Sequence, residues 1–174
     1  MSAMQENVPF SSADSTLSEA DLAAGAALCN RLSRLALFDN LSGEELKLLL
    51  PYLQPMQATT GTTIVAQGNA DHLLGIVLDG QATARAPDQE IASNPQQALV
   101  PGMCFGEATL IDDHPHPATI IADTDTQLVL LSRENFRKLS ASHPIIGVRL
   151  LHKICRQLCQ QLRQPGGPVM ECLG

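Results

Sequence analysis

The sequence predicts a mainly β domain, a sandwich or jelly-roll barrel, with helices before and after the sheet. Three observations carry this. Between about residues 56 and 131, glycines and prolines punctuate short runs of Val, Ile, Leu and Thr at a spacing of roughly ten residues. Ahead of that stretch, apolar residues recur every three or four positions, the period of an amphipathic helix. Behind it the same period returns, from Pro144 to Gln164.

Taken in order, residues 1–15 are small and polar and are expected to be disordered. Thr16-Leu17-Ser18-Glu19 has the form of a capping box, and Leu22, Ala26, Cys29, Leu32 and Leu35 follow at helical spacing, which gives an N-terminal helix over 16–35. Ser42-Gly43-Glu44-Glu45 is a second box. It opens a short helix with Leu46, Leu49, Leu50 and Leu53 inward and Pro55 just past its end. The strand candidates are "GTTIVAQG", "LLGIVLDG", "QATARA", "ALVPG", "ATIIA" and "QLVLL", with "DQEIASNPQQ" (88–97) as a loop. Ser132 can cap "RENFRKLS", and Pro144 stands at a favoured early helix position. In the last helix Val148, Leu151, Cys155, Leu158 and Leu162 alternate at spacings of three and four, a coiled-coil seam of barely two heptads. The β-roll with its short helices thus spans 36–142, a dimerisation helix 143–164 and a flexible tail 165–174.

At 174 residues the chain fits one domain with appended segments, and 44% hydrophobic residues can fill a core of Leu, Ile, Val and Ala. Lys and Arg total 11 against 18 acids, a formal net charge of -7, which argues against nucleic acid as a partner. Five cysteines, an odd number without CxxC spacing, suit a reducing compartment. No signal peptide, bilayer-spanning apolar run or prenylation box is legible. A soluble, cytoplasmic protein with no membrane partner is expected.

The stretch "PGMCFGEATLIDDHPHPATI" (101–120) carries the chemistry. Gly106 allows a sharp turn with close backbone approach, and "EATLI" after it reads as a short helical turn whose free N–H groups favour an anion. Glu107 could then accept from a sugar hydroxyl. A metal reading competes: His114 and His116 share one side of an extended segment, with Asp112 and Asp113 nearby. The residues after His116 supply no third ligand, so no metal site is assigned. His152, Cys155 and Cys159 share a helix face, more readily as seam and flank than as a metal or redox site. With no Ser-His-Asp order and no Gly-Lys-Ser/Thr loop, an enzyme is not expected.

These residues fall in the order of a known family. "LFDNLSGEELKLLLPYL", the glycines Gly61, Gly68 and Gly80, "VPGMCFGEATLIDDHPHPATIIA" and "LSRENFRKLSASHP" resemble the cyclic-nucleotide-binding domain family, over about residues 30–163. That family is shared by the bacterial catabolite activator protein and the regulatory subunits of cAMP-dependent protein kinase. The resemblance implies a double-stranded β-helix (jelly roll) flanked by helices, and a phosphate-binding cassette made of Phe105, Gly106, Glu107, Ala108, Thr109, His116, Pro117 and Ala118. It implies that Glu107 holds the ribose 2′-OH and that the amides after it bind the cyclic phosphate.

One position departs from the pattern. His116 stands where the family has the arginine that neutralises the phosphate. An imidazole offers one donor in place of a planar fork, and an ordinary one is charged only part of the time at neutral pH. Losing a charge-assisted hydrogen bond costs about 1.5–3 kcal/mol, roughly ten- to a hundred-fold in affinity. Pro117 also removes a backbone donor.

Three functions stay open. The first is a stand-alone regulatory domain sensing cAMP, cGMP or a similar anion and signalling through its C-terminal helices, as a homodimer through residues 144–164, to an unidentified effector protein. The second is a degenerate domain serving as a protein-interaction module, and the third a metal-dependent cupin-like enzyme. The first leads.

Overall fold

The computed structural model describes residues 19–85 and 97–163. The segment 1–15, the Thr16 capping box, most of the 88–97 loop and the tail 165–174 lie outside the described residues.

Helix α1 (Glu19–Leu32) buries Leu32 completely and packs Leu28 and Cys29 against the core. Arg31 Nη1 donates to Gln127 Oε1 at 2.8 Å and ties the helix to the sheet. Helix α2 (Gly43–Leu49) starts as its sequence dictates: Ser42 Oγ accepts from the Glu45 N–H, and the Glu45 carboxylate accepts from the Ser42 N–H. Leu46 and Leu49 point inward, and a single 3-10 turn over Leu50–Tyr52 brings Leu53 in behind them.

Eight strands follow: β1 (Gln54–Ala58), β2 (Thr63–Val65), β3 (Leu73–Asp79), β4 (Ala82–Arg85), β5 (Gln97–Leu99), β6 (Cys104–Phe105), β7 (Thr119–Ala122) and β8 (Thr126–Ser132). They form two four-stranded antiparallel sheets, β1-β8-β3-β6 and β2-β7-β4-β5. The mainly β jelly-roll architecture expected from strand spacing is therefore present. Pro55, past the end of the short helix, lies inside β1, at the edge of its sheet. Edge strands tolerate a missing N–H that a central strand would not.

Helix α3 (Glu107–Ile111) interrupts the strands, and α4 (Arg133–Ser142) and α5 (Pro144–Leu162) close the chain. Ser132 Oγ caps α4 by accepting from the Asn135 N–H, and Pro144 is the first residue of α5.

The two faces of β3 explain its unbroken apolar run. Leu74 and Ile76 join Val129 and Leu131 of β8 in a core shared with the helices, where Leu139, Ile146, Leu150 and Ile154 also sit. Leu73 and Val77 turn the other way, with Leu128 and Phe105, into the space between the sheets. A strand buried on both faces has no reason to alternate. The helical layer therefore rests directly on the sheet that leads into α3.

The seam read into α5 is divided between two sides. Val148, Leu151 and Cys155 are exposed, whereas Leu158 is half-buried against the helix core, and the side chain of Leu162 lies outside the description. The outward stripe is instead Ile145, Val148, Leu151, Cys155 and Cys159.

Candidate functional site

Strand β6 delivers the chain to Gly106, which caps α3 with φ 77° and ψ 15°. Only glycine fits there. A Cβ would stand 2.2 Å from the Leu73 carbonyl oxygen of β3 and 3.0 Å from Cε1 of His116. The preceding Phe105 is buried, and its ring lies over Gly75, where a Cβ would come within 2.1 Å of Cζ. Two glycines on opposite sides of one strand pairing thus set the turn and seat the ring before it.

Glu107, the first residue of α3, is only 6% exposed. Its Oε1 accepts from Gln161 Nε2 at 2.8 Å and from Gln157 Nε2 at 3.2 Å, both on α5. Burial pushes the carboxyl's pKa up, while its own backbone N–H and the Gln161 amide pull it down. Beside it the Cys104 thiol is buried against Gln157, and desolvation pushes its pKa up to about 12, so it is no nucleophile at neutral pH. Thr109 is buried and its hydroxyl donates to the Gly106 carbonyl at 2.9 Å, while Ala108 faces solvent. The N–H groups that open a helix have no partner within it, which leaves this turn able to receive an anion.

The far end of α3 is held by Arg133, whose side chain is 13% exposed. Its Nε donates to the Leu110 carbonyl at 3.1 Å and its Nη2 to the Thr109 carbonyl at 2.5 Å, while Nη1 pairs with Asp113. The guanidinium beside Asp113 holds that carboxyl below its ordinary range.

His116 is 3% exposed. Its N–H donates to Asn69 O at 3.0 Å, its carbonyl accepts from Gly68 N–H at 2.9 Å, and Nε2 lies 2.7 Å from the Asp71 carbonyl. A carbonyl only accepts, so Nε2 carries a proton spent on Asp71. The ring packs against the Gly106 turn. Pro117, exposed, and Ala118, half-buried, lead away into β7.

His114 is in solvent beside Asp112, so the two histidines expected to share one side are separated: the Pro115 and Pro117 segment is no regular strand. Among the described residues no three His, Cys, Asp or Glu side chains gather as metal ligands, His152, Cys155 and Cys159 included. No described helix is long and apolar enough to cross a membrane. A cavity of about 360 Å³ lies under α1, lined by Gly25, Leu28, Arg31, Met56 and Leu128, away from the cassette.

The structure joins Phe105, Gly106, Glu107 and Thr109 in one turn and packs the His116 ring against it. Sequence reasoning missed Gln157, Gln161 and Arg133. A signal for the first two existed: Ile146, Leu150, Ile154, Gln157 and Gln161 are spaced four, four, three and four apart, one helix face that ends in two amides.

Comparison with known proteins agrees with this geometry. The family model for the cyclic nucleotide-binding domain matches residues 55–143. The cyclic AMP receptor protein of Thermus thermophilus is 30% identical over 128 residues, covering 74% of this chain and 57% of that protein. The cAMP-dependent protein kinase regulatory subunit of Aspergillus niger is 30% identical over 108 residues, covering 62% of this chain and 26% of the subunit. The chain thus spans little more than half of the first relative and about a quarter of the second. A cyclic nucleotide-binding domain from Methylobacillus flagellatus superposes with a TM-score of 0.70 at 22% identity, covering 80% of this chain and 81% of that one, a likeness of fold. With a family model matched over half of its length and a relative 30% identical over 74% of it, this chain belongs to the cyclic nucleotide-binding domain family.

Proposed function

We propose that this chain is a regulatory domain that senses a cyclic nucleotide, or a similar small anion, and passes the event to α4 and α5. The observation that carries the reading is the contact between Glu107 and α5: the expected ligand group and the last helix share hydrogen bonds of 2.8 and 3.2 Å. In this reading Glu107 accepts from a ribose hydroxyl, and the amides of Ala108 and Thr109 meet the phosphate. In this reading a second copy docks on the outer face of α5, a role supported by the exposure of Ile145, Val148, Leu151 and Cys155, and the output goes to a partner protein. The Thermus thermophilus and Aspergillus niger relatives, a cyclic AMP receptor and a kinase regulatory subunit by name, support the sensing role.

A second reading has its own observation. His116, which on the family resemblance stands at the position of the phosphate-binding arginine, has its Nε2 proton already engaged by the Asp71 carbonyl. A domain that has lost its phosphate counter-charge would act as an interaction module instead.

Calorimetric titration with cAMP, and with cGMP as the comparison ligand, separates the two. Saturable binding that Glu107→Ala abolishes supports the sensor. A folded protein that takes up neither nucleotide at millimolar concentration leaves the interaction module. Sedimentation of the wild type against Val148→Glu reads the dimer surface, and a monomeric wild type removes it.

A further inference from the structure

In this structure α5 already occupies one oxygen, Oε1, of the carboxylate expected to hold the ligand. Gln157 and Gln161 both donate to Glu107 Oε1, and a carboxylate oxygen has two lone pairs. We infer that these two glutamines stand in for a ribose hydroxyl, so that nucleotide binding and docking of the end of α5 compete for Glu107. This rests on the sensor reading above and names the regulation of that site.

The two halves of α5 are held differently. Its first half is fixed: Ile146, Leu150 and Ile154 are buried, Gly147 lies against Ser140 of α4, and Arg149 and Lys153 pair with Glu45 and Asp39. Beyond Ile154 no described side chain is fully buried. Leu158 and Gln157 are half-covered, and Gln161 is exposed. The last turns are therefore attached through the half-covered Leu158 and through the two amides, of which that of Gln157 also bonds the Cys104 thiol at 2.9 Å. Among the described residues of this end only Leu158 brings an apolar side chain to the core, so a ligand that replaced both hydrogen bonds to Glu107 could lift this end at the cost of that contact and of the Gln157–Cys104 bond, without opening the core. Neutral amides suit such a contact. A lysine or arginine at either position would form a buried ion pair, and breaking one by removing a partner is strongly unfavourable.

The test uses the whole chain with cAMP as the probe. Wild type, Gln161→Ala and Gln157→Ala/Gln161→Ala are titrated side by side, with circular dichroism to verify the fold. Alanine keeps the helix, and both positions lie outside the fully buried core. The double variant is expected to bind cAMP at least about tenfold more tightly, because a hydrogen bond to a charged acceptor is worth about that factor. The single variant should fall between. Saturating cAMP should also speed hydrogen exchange at amides 157–163 of the wild type. Unchanged or weaker binding by the double variant, with the wild type binding, overturns the competition and leaves the sensor standing. Absence of binding by every form at millimolar cAMP and cGMP overturns both.

Discussion

Replacing Gly106 by alanine should cost far more than the same change at Gly61, although both glycines hold a left-handed backbone (φ 77° and 84°). The left-handed conformation costs an L-residue about 1–2 kcal/mol, and at Gly61 that is the whole effect, since a Cβ there meets nothing within 4 Å. At Gly106 the new Cβ stands 2.2 Å from Leu73 O, roughly 1 Å inside a weak C–H···O contact. Leu73 is on β3, paired with β8 on one side and β6 on the other, so this oxygen cannot step aside. Overpacking of this kind costs a further ~1–3 kcal/mol. The expected loss is about 2–5 kcal/mol for Gly106→Ala against about 1–2 for Gly61→Ala, within a total of about 5–15 for a domain. Urea unfolding with a common slope measures both. Gly102→Ala is a second control, with φ 92° and only Leu35 Cδ2 nearby at 3.7 Å. Equal losses at Gly106 and Gly61, within about 0.5 kcal/mol, would refute the claim that β3 dictates glycine at this turn.

Arg133→Ala removes the donors to the Thr109 and Leu110 carbonyls and should destabilise by about 2–4 kcal/mol in chemical denaturation, with Arg133→Lys recovering little because an ammonium cannot span both. The Glu107 carboxyl has a raised pKa, chiefly from burial, so the folded chain holds its proton more tightly than the unfolded chain does. Its contribution is complete below the ordinary value of 4.5 and is lost as pH rises through the higher folded value. Glu107→Gln, which does not titrate, should therefore gain on the wild type in urea midpoint as pH goes from 4 to 8, and a gap that stays constant or narrows contradicts this. His116→Ala gives up the Nε2 hydrogen bond to the Asp71 carbonyl in a site only 3% exposed, and thermal unfolding should register about 1–3 kcal/mol.

What could be read from the sequence was what is local in the chain. Ser42 with Glu45, Ser132 before α4 and Pro144 at the head of α5 are decided by neighbours within four residues. The Gly106-Glu107 turn was legible for a similar reason, since a glycine and a five-residue helix need no distant partner to be recognised. β1 was not legible: "QPMQA" has no alternation, and its place is fixed by pairing with β8 more than 70 positions away, Gln54 with Leu130. The division of α5 into two faces was half-legible. Heptad spacing draws Leu158 into an outer seam, but contact with the sheet core turns it inward, and that contact does not exist until the barrel does. Arg133 reads as an ordinary helix-start residue until α3 is packed beside it.

The same contacts bound how the cassette can act. α3 has three holds: β3 through Gly106 and Leu73, α4 through Arg133, and α5 through the two glutamines. The first is a backbone contact with a strand buried on both faces and will not yield. The second is a charge-assisted grip on carbonyls, nearly dry, and any shift of α3 that keeps it carries Arg133 and the start of α4 along. The third consists of neutral amides at the exposed end of a helix. Hydrogen bonds to charged groups contribute about 1.5–3 kcal/mol each, but those near water exchange most readily. In the proposed sensor, a ligand at Glu107 would thus meet the weakest hold first. The α4–α5 junction, where Gly147 lets the helices approach and a Cβ would come 2.6 Å from Ser140 Oγ, joins the other two holds mechanically. Loss of the α5 contact alone should free the last turns, and movement of the whole helix pair additionally requires α3 to pull on Arg133. Hydrogen exchange in Arg133→Ala distinguishes these. If the last turns of α5 still respond to cAMP while α4 no longer does, the two outputs are separable in the order this packing dictates.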